Sequence, residues 1–318
     1  MSSIFISRRI PDVGIALLSE RHDVTVFEHD RPILKDELIA GVREADGLVC
    51  LLSDPVDAEV IAAGANLRCI SSYAVGYNNI DVEAAKQRGI VVTNTPGVLT
   101  EATADIAFAL MIACARRIVE SDAWLRKGKF EGWAPKLFRG QDLVGRTLGI
   151  IGAGRIGQAL AKKAAHGFDM RILYHNRNRS TEFEQTFGAE FSTLETLLRE
   201  SDFISVHVPL TPETRHLVDA RAIALMKPSA IFINTARGPI VDEHALIEAL
   251  QKQRIFAAGF DVYENEPQIP RELIDLPNTV LLPHIGSASI ETRDRMAVMA
   301  AENLIEVLDG REPAHRVV

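Results

Sequence analysis

The chain has 318 residues, of which 47% are hydrophobic and 25% are charged; this composition is typical of a globular protein, and the length predicts two domains. The formal net charge is −8 and no block of Lys and Arg stands out, so we expect no nucleic-acid partner and only a locally built site for any anion. Neither a membrane-spanning apolar stretch nor a signal peptide is found, so we expect a cytoplasmic protein without membrane contact.

The first hundred residues alternate short apolar runs with helix-like segments. The runs predict strands at 3–7, 24–27, 47–52, 67–71 and 90–93, and the segments between them predict helices at 12–20, 34–45, 58–63 and 82–88. Asp81 is a suitable N-cap for the fourth helix, and Gly89 is a suitable stop. This alternation is typical of a parallel sheet covered by helices.

A segment at 100–119 carries few charges after Asp105 and predicts one long buried helix, lying between domains or between subunits. Residues 127–141 contain Gly, Trp and Pro and predict a loop. A second α/β unit follows, with strands predicted at 147–151, 171–175, 203–208, 230–235, 257–262 and 280–283. Helices are predicted at 155–167, 193–200 and 244–252, and an amphipathic helix at 288–309 forms the tail.

These patterns predict an α/β protein with two doubly wound, Rossmann-like or flavodoxin-like domains, each built on a parallel sheet. We expect the last helix to pack back on the first domain, which would make that domain discontinuous. Cys50, Cys69 and Cys114 each lie in an apolar run and are expected to be buried free thiols, in keeping with a reducing cytosol. We expect no metal site.

The segment from Gly152 to Gly157 reads G-x-G-x-x-G and stands between a predicted buried strand and a predicted helix. In a dinucleotide-binding loop Gly152 makes the tight turn, Gly154 lets the backbone approach the pyrophosphate, and Gly157 lets the helix pack on the strand. Arg155 and Ile156 complete the loop, and the helix N-terminus offers N–H groups to the phosphates. The fingerprint alone also fits FAD or S-adenosylmethionine, so it leaves the cofactor open.

The end of the following strand bears on the choice of nicotinamide cofactor. NAD sites usually carry Asp or Glu there, whereas this chain has Asn176, Arg177 and Arg179, with no carboxylate before Glu182. A 2′-phosphate requires charge-assisted donors of this kind. We therefore predict that NADPH is preferred over NADH; the alternative is that Arg177 and Arg179 are solvated surface charges.

Three polar residues, Arg237, Glu266 and His284, each follow a predicted strand of the second unit. Because ligands collect at the carboxyl ends of strands in open α/β sheets, these residues can converge on one crevice. Hydride reduction of a 2-oxo acid needs a cation for the substrate carboxylate, a proton donor for the carbonyl oxygen, and a group that keeps the donor protonated. Arg, His and a carboxylate meet these needs. Taken singly, each residue also fits a structural role.

At these residues the chain resembles the D-isomer-specific 2-hydroxyacid dehydrogenase family, and within it the glyoxylate/hydroxypyruvate reductase branch. The similar segments extend over nearly the whole chain: 73–81 (YAVGYNNID), 94–100 (NTPGVLT), 152–157 (GAGRIG), 207–211 (HVPLT), 234–238 (NTARG), 266–267 (EP) and 283–287 (PHIGS). The resemblance implies a discontinuous substrate domain at 1–97 and 284–318, a dinucleotide-binding domain at 98–283, and an active site in the cleft between them.

The resemblance also implies roles for individual residues. Arg237 would hold the carboxylate and carbonyl oxygen of the substrate. His284 would be the acid in reduction and the base in oxidation, and Glu266 would favour its protonated form. The backbone N–H groups of Val75 and Gly76 would bind the substrate carboxylate. Leu52 and Ser53 would lie near the substrate, and further cofactor contacts would come from Thr103, His207, Pro209, Thr214, Thr235, Ala236, Asp261 and Gly286.

Relatives of this family are usually homodimers joined through the dinucleotide-binding domain, and they close their two domains around the substrate. The resemblance therefore implies a homodimer here. In related reductases a tryptophan from the loop at 127–141 reaches the active site of the partner and shapes substrate choice, and Trp133 stands in that loop here. Because the loop is shorter than in some relatives, a plain packing role for Trp133 is the alternative.

The resulting prediction is an NADPH-dependent reductase that converts small 2-oxo acids, glyoxylate and hydroxypyruvate, to the D-2-hydroxy acids glycolate and D-glycerate. A 2-ketogluconate reductase on the same scaffold stays open, because the sequence does not show the size of the pocket. A non-catalytic NADP(H) sensor, similar to the corepressor members of the family, is the alternative from another class. Phosphite-oxidising relatives carry a lysine where this chain has Val75, and phosphoglycerate dehydrogenases usually carry the acidic NAD signature, so neither is favoured.

Overall fold

A computed structural model describes all residues, 1–318. Its strands are β1 (Ser3–Ile6), β2 (Asp23–Val26), β3 (Gly47–Cys50), β4 (Cys69–Ser72), β5 (Val91–Thr93), β6 (Thr147–Ile151), β7 (Arg171–His175), β8 (Glu190–Phe191), β9 (Phe203–Val206), β10 (Ile231–Asn234), β11 (Ala257–Phe260) and β12 (Thr279–Leu281). Its helices are α1 (Asp12–Ser19), α2 (Lys35–Val42), α3 (Ala58–Ala63), α4 (Val82–Gln87), α5 (Thr100–Ala115), α6 (Ile118–Arg126), α7 (Arg155–Phe168), α8 (Thr181–Phe187), α9 (Leu194–Glu200), α10 (Ala220–Ala224), α11 (Glu243–Gln251), α12 (Arg271–Ile274) and α13 (Ile290–Leu308). Every strand predicted from the sequence is present, and only the two-residue strand β8 was not predicted.

The first sheet has five parallel strands in the order β2-β1-β3-β4-β5. Successive side chains of a strand point to opposite faces of its sheet. In β1, Phe5 therefore enters one core, with residues of α2 to α4, whereas Ile4 and Ile6 enter the other, with residues of α1 and α13. Burial on both faces explains why the inner strands β1 and β3 are nearly apolar throughout, whereas the edge strand β2 has no buried residue.

The C-terminal part of the chain packs on this first sheet. The Ser71 hydroxyl donates to the Ala300 carbonyl at 2.8 Å, and the Tyr73 hydroxyl donates to the Arg293 carbonyl at 3.0 Å. Val92 also exchanges backbone hydrogen bonds with residues 317–318 at the edge of the sheet. Met1–Leu99 together with Ser287–Val318 thus form one compact unit, called unit 1 here, and Thr100–Gly286 form unit 2.

The second sheet, in unit 2, has seven parallel strands in the order β12-β11-β10-β9-β6-β7-β8. One face packs against α5 and α7, and the other packs against α9, α10 and α11. The predicted α/β class with two doubly wound parallel sheets is confirmed. In such sheets the carboxyl ends of the strands are where ligands bind.

The prediction of one helix at 100–119 is wrong in its extent. Helix α5 ends at Ala115, because the Ala115 carbonyl accepts the N–H of Gln141 at 2.8 Å from outside the helix. Arg117 then adopts a left-handed conformation with φ of 53°, and the chain starts again as α6. Helix α5 is buried along one side only, where it packs within unit 2 against α7 and β10, and Glu101, Asp105 and Ala109 are exposed.

Smaller predictions about local structure are confirmed. Asp81 caps α4 by accepting the Ala84 N–H at 2.9 Å, and Gly89 has a positive φ of 70° after that helix. All three cysteines are buried free thiols. None of the helices combines the length and the apolar character needed to cross a lipid bilayer.

Candidate active site

The glycine loop after β6 is shaped by close backbone contacts. A Cβ atom at Gly152, where φ is 102°, would lie 2.7 Å from the carbonyl carbon of His207. A Cβ at Gly157 would lie 2.3 Å from the Gly152 oxygen, whereas a Cβ at Gly154 would meet no atom within 4 Å. Gly152 and Gly157 therefore hold the turn closed, and open space remains at Gly154, as a pyrophosphate requires.

The N-terminus of α7 continues this loop. Gly154 is its N-cap residue and no side chain caps the first N–H groups, so they stay available for an anion. Arg155 is exposed at the first helical position, and Ile156 is half-buried against the core. The loop is braced by Gln158, whose amide donates to the Ala153 carbonyl at 3.0 Å.

The segment after β9 lies beside the glycine loop. The His207 N–H donates to the Ile151 carbonyl at 2.7 Å, and the His207 imidazole pairs with the Ser205 hydroxyl at 2.8 Å. Burial lowers the pKa of His207 to about 3, so the imidazole is neutral at physiological pH. Farther along, the Thr214 hydroxyl donates to the Pro209 carbonyl at 2.7 Å and fixes a turn.

The two arginines after β7 have different surroundings. Arg179 makes a bidentate pair with Glu184, with nitrogen–oxygen distances of 2.7 and 2.8 Å, and this pair together with the Tyr174 hydroxyl holds the pKa of Glu184 below its usual range. Arg177 is exposed and has no hydrogen bond or ion pair. The Asn176 amide donates to the Asn178 carbonyl at 3.1 Å. Glu184 was not predicted from the sequence, in which its position five residues beyond Arg179 is the only signal for this pair.

Another group of predicted cofactor residues meets beyond β10 and β11. Asp261 is 1% exposed and accepts the N–H groups of Ile285 and Gly286 at 2.7 Å each, which groups residues 284–286 with unit 2. Burial raises the pKa of Asp261 despite these two bonds. The Thr103 hydroxyl donates to the Gly286 carbonyl at 3.1 Å. Thr103, Asp261 and Gly286 thus form one contiguous cluster.

Thr235 carries an unsatisfied polar atom. Its Oγ1 is buried and has no hydrogen-bond partner within the chain. Buried hydroxyls are normally paired, so an unpaired one in a strand-end segment is consistent with a ligand contact. The next residue, Ala236, is held by its own N–H, which donates to Asn234 Oδ1 at 3.0 Å. Together with the open space at Gly154, the lone hydroxyl indicates that the residues present fit a nicotinamide dinucleotide.

The three predicted catalytic residues also lie in unit 2. His284 Nδ1 and Glu266 Oε2 are 2.9 Å apart, and Glu266 Oε1 accepts the Tyr263 N–H at 2.9 Å. Burial alone would raise the pKa of Glu266, but the bond and charge of His284, the Tyr263 N–H and the charge of Arg237 hold this pKa below its usual range. The Glu266 carboxylate is therefore ionised at neutral pH and can stabilise an imidazolium at position 284.

Arg237 shares the electrostatic environment of this pair. Burial lowers the pKa of the Arg237 guanidinium, and the negative charge of Glu266 opposes that shift. The guanidinium donates to the Ala236 carbonyl at 2.8 Å, and the Arg237 carbonyl accepts from the Asn234 amide at 3.0 Å. An arginine stays charged even when partly desolvated, so Arg237 can pair with a substrate carboxylate.

The predicted substrate loops of unit 1 follow β3 and β4. Leu52, 38% exposed, and Ser53 lie in the first loop, and Val75 and Gly76 lie half-buried in the second. The carbonyl of Val75 accepts from the Asn94 amide at 2.8 Å, which fixes its peptide unit. Both loops follow the carboxyl ends of strands in one parallel sheet, where the ligand-binding loops of α/β domains lie.

Trp133 has surroundings unlike those of the other predicted site residues. It is 85% exposed and has neither a hydrogen bond nor a ring contact within the chain. A plain packing role within the chain is therefore not seen. Its predicted role at the active site of a partner subunit stays a prediction.

Comparisons with known proteins identify the family of the chain. Residues 108–286 match the family described as D-isomer specific 2-hydroxyacid dehydrogenase, NAD binding domain. The chain is 51% identical over 318 residues to a glyoxylate reductase of Thermococcus litoralis, covering 99% of this chain and 96% of that protein. A glyoxylate reductase from Paecilomyes thermophila is 32% identical, with a TM-score of 0.88 and coverage of 99% and 98%.

A third relative was solved with ligands. The NADPH-dependent glyoxylate/hydroxypyruvate reductase from Sinorhizobium meliloti, in complex with NADP and malonate, is 34% identical with a TM-score of 0.88, covering 100% of this chain and 97% of that one. The resemblance seen in the sequence is thereby confirmed over the full length. The chain belongs to the D-isomer specific 2-hydroxyacid dehydrogenase family and is an NAD(P)-dependent oxidoreductase.

Proposed function

We propose that this protein is an NADPH-dependent reductase of small 2-oxo acids, which converts glyoxylate and hydroxypyruvate to glycolate and D-glycerate. The observation that carries the proposal is the pairing of His284 with an ionised Glu266 beside the half-buried cation Arg237. These three groups match the demands of hydride reduction of a 2-oxo acid. The similarity to glyoxylate reductases adds support for the substrate class.

Each catalytic group has one task in the proposed reaction. Arg237 binds the substrate carboxylate and draws electron density toward the carbonyl oxygen. When bound, the reduced nicotinamide supplies the hydride to the carbonyl carbon. His284 Nε2 donates its proton to the carbonyl oxygen, so that C=O becomes CH–OH, while Glu266 on Nδ1 stabilises the imidazolium before transfer. In the oxidative direction the same nitrogen takes the proton back.

Residues of unit 1 are also proposed to bind the substrate. The backbone N–H groups of Val75 and Gly76 bind the substrate carboxylate, and Leu52 and Ser53 lie beside the rest of the molecule. Backbone N–H groups can bind an anion without a cationic side chain, so they suit a protein with a net charge of −8. A short loop that presents the apolar side chain of Leu52 suits a small substrate better than a sugar acid with several hydroxyls.

The cofactor would be held by the residues that the structure gathers around the two strand ends. Gly152, Gly154 and the N-terminus of α7 would bind the pyrophosphate. Thr235, Thr103 and the Asp261–Gly286 cluster would surround the nicotinamide. Arg177 would bind the 2′-phosphate, since it is exposed and its guanidinium is not hydrogen-bonded to a carboxylate, whereas the guanidinium of Arg179 already pairs with Glu184. This assignment supports a preference for NADPH.

A homodimer joined through unit 2 is also part of the proposal. Apolar side chains stand exposed along one stretch of the chain that includes the loop of Trp133. They are Ile118, Val119, Leu125, Phe130, Trp133, Leu137 and Val144. Exposed apolar side chains gathered in one segment support an interaction surface there. Light scattering of the purified protein should therefore give the mass of two chains. We place the protein in the cytosol, where its three free thiols would stay reduced.

The first experiment is a set of parallel initial rates of NADPH and NADH oxidation with glyoxylate, hydroxypyruvate and 2-ketogluconate. Fast NADPH oxidation with the two small acids is the expected result. Turnover mainly with 2-ketogluconate would move the substrate to the sugar acids, and tight NADPH binding without turnover would favour the sensor. His284→Ala should abolish reduction at neutral pH, whereas the control His166→Ala, an exposed position on α7, should not.

A further inference from the structure

A buried carboxylate that the proposed reaction does not use lies behind the loop that carries Glu266. Glu243, the first residue of α11, is 6% exposed, and its Oε2 accepts the Glu264 N–H at 3.2 Å. Helix α11 does not need this side chain as a cap, because Asp242 already accepts the Ala245 N–H at 2.9 Å. The Glu243 carboxylate therefore serves the loop at 263–266 and not its own helix.

The segment Tyr263–Glu264 contacts each of the three catalytic loops. The Tyr263 N–H donates to Glu266 Oε1, and the Tyr263 hydroxyl donates to the Leu282 carbonyl at 2.9 Å, two residues before His284. On the side of Arg237, the backbones touch so closely that a Cβ at Gly238 would lie 1.9 Å from Tyr263. A shift of this segment would thus move Glu266 relative to both His284 and Arg237.

A second tie holds the same segment through the side chain of Glu264. His216 Nε2 pairs with Glu264 Oε1 at 2.8 Å, and the His216 N–H donates to the Pro239 carbonyl at 2.9 Å. His216 adopts a left-handed conformation with φ of 49° to make both contacts. The backbone of Glu264 is thus held by Glu243 and its side chain by His216.

We propose that Glu243 is a positioning residue for proton transfer: by holding the Glu264 N–H, it keeps the loop at 263–266 placed so that Glu266 stays bonded to His284. This inference rests on the proposed roles of Glu266 and His284. Loss of the acceptor would leave the part-buried Glu264 N–H unsatisfied, and the loop would move to satisfy it. Glu266 would then pair less well with His284, and the protonated imidazole would lose part of its stabilisation.

The charges around this loop decide which substitution is the fair control. Burial raises the pKa of Glu243, the Glu264 N–H opposes that shift, and the charges of Glu264 and Glu266 add to it. Gln at 243 keeps an acceptor oxygen and removes a like charge, so it should preserve the loop. The charged and titratable groups facing the loop are Arg215, His216, Arg237, Glu243, Asp261, Tyr263, Glu264, Glu266 and His284.

The test compares Glu243→Met, which has a similar volume but no acceptor, with Glu243→Gln. Kcat for glyoxylate reduction is measured against pH, with the Kd for NADPH and the thermal unfolding temperature. For Glu243→Met we expect kcat to fall by about tenfold, the alkaline limb of the pH profile to move to lower pH, and the Kd for NADPH to stay unchanged. Glu243→Gln should retain the wild-type limb. An unmoved limb in Glu243→Met, or a limb moved equally in Glu243→Gln, would overturn the proposal.

A double substitution separates positioning from general destabilisation. If Glu243 acts through Glu266, then Glu243→Met should cause no further movement of the limb in a Glu266→Gln background. Equal movement in both backgrounds would contradict the inference. Should Glu243→Met fail to fold, Glu243→Asp, one methylene shorter, is expected to move the limb in the same direction, and an unmoved limb there would overturn the proposal as well. Wild-type protein without any turnover would instead count against the proposed function.

Discussion

Both units contain a point where the strand order reverses, and the two points are built differently. In unit 1 it lies between β1 and β3, where the hydroxyl of Ser7 donates to the carboxylate of Asp54, and both residues are buried. In unit 2 it lies between β6 and β9, where Gly152 contacts the backbone at His207 with no side chain between them. Side chains fill the first point, called the closed point here, whereas open space remains at Gly154 in the second, called the open point here.

The difference shows that topology offers a crevice and local sequence decides whether it takes a ligand. At the unit 1 point the Asp54 carboxylate also accepts the Leu51 N–H at 2.6 Å. The Asn79 amide ties the same loop down by donating to the carbonyls of Leu51 and Asp54 at 2.9 Å each. The closed point thereby supports Leu52 and Ser53, whereas the open point in unit 2 is the proposed site of a dinucleotide.

The largest expected effect comes from Gly152→Val, which disrupts the backbone turn at the open point. The new side chain would collide with the carbonyl carbon of His207, 2.7 Å from the Cβ position, and would occupy a left-handed conformation. The conformational strain alone costs about 1–3 kcal/mol. We expect NADPH binding to weaken by about a hundredfold or more, which is about 2.8 kcal/mol, and the thermal unfolding temperature to fall. Fluorescence titration with NADPH and thermal unfolding measure the two effects.

The matched control for that substitution is Gly154→Ala. A Cβ there meets no atom within 4 Å and the backbone has a negative φ of −78°, so the protein should unfold at the wild-type temperature. Its methyl group would nevertheless occupy the space proposed for the pyrophosphate, and NADPH should bind more weakly. Wild-type affinity in Gly154→Ala would mean that this space does not belong to the cofactor.

The converse change removes the contact between Ser7 and Asp54 at the closed point of unit 1. Asp54→Ala would leave the Ser7 hydroxyl and the Leu51 N–H buried without an acceptor, which costs about 1–3 kcal/mol of unfolding free energy for each such group. Hydrogen exchange of the β1 and β3 amides should accelerate, and the KM for glyoxylate should rise because the loop of Leu52 loses its support. Asp54→Asn retains an acceptor oxygen and is the control.

The effect of Asp54→Ala should stay within unit 1. Since the proposed cofactor residues belong to unit 2, the Kd for NADPH should equal that of the wild type. Loss of NADPH binding in Asp54→Ala would show that the two points are not independent, and unchanged exchange rates would show that the Ser7–Asp54 pair does not hold the loop.

Local patterns were enough to predict the strands and the glycine loop, because both depend on neighbouring residues. The closed point was not predictable in this way, since Ser7 and Asp54 are separated by 47 positions and each reads as an ordinary polar residue. The end of α5 was not predicted for the same reason: the N–H that donates to the Ala115 carbonyl belongs to Gln141, which is distant in the sequence. The catalytic residues were predicted from the family resemblance more than from their spacing.

The smallest expected effect concerns the choice between NADPH and NADH. It depends on the contact between Arg179 and Glu184, which the sequence did not reveal. Arg177 and Arg179 look equivalent in the sequence, but Glu184 already holds Arg179 through two hydrogen bonds. Arg177→Ala should therefore weaken NADPH by about tenfold, which is about 1.4 kcal/mol, and leave NADH unchanged.

Arg179→Ala should have less effect on NADPH than Arg177→Ala, because the guanidinium that it removes serves Glu184. Glu184→Gln sharpens the contrast, since it weakens the hold on Arg179 and leaves that charge able to turn to the 2′-phosphate; NADPH should then bind somewhat more tightly. Titrations with both cofactors measure all three variants. Equal loss of NADPH and NADH affinity in Arg177→Ala would show that this arginine supports the fold of the loop, and a larger loss in Arg179→Ala would exchange the two roles.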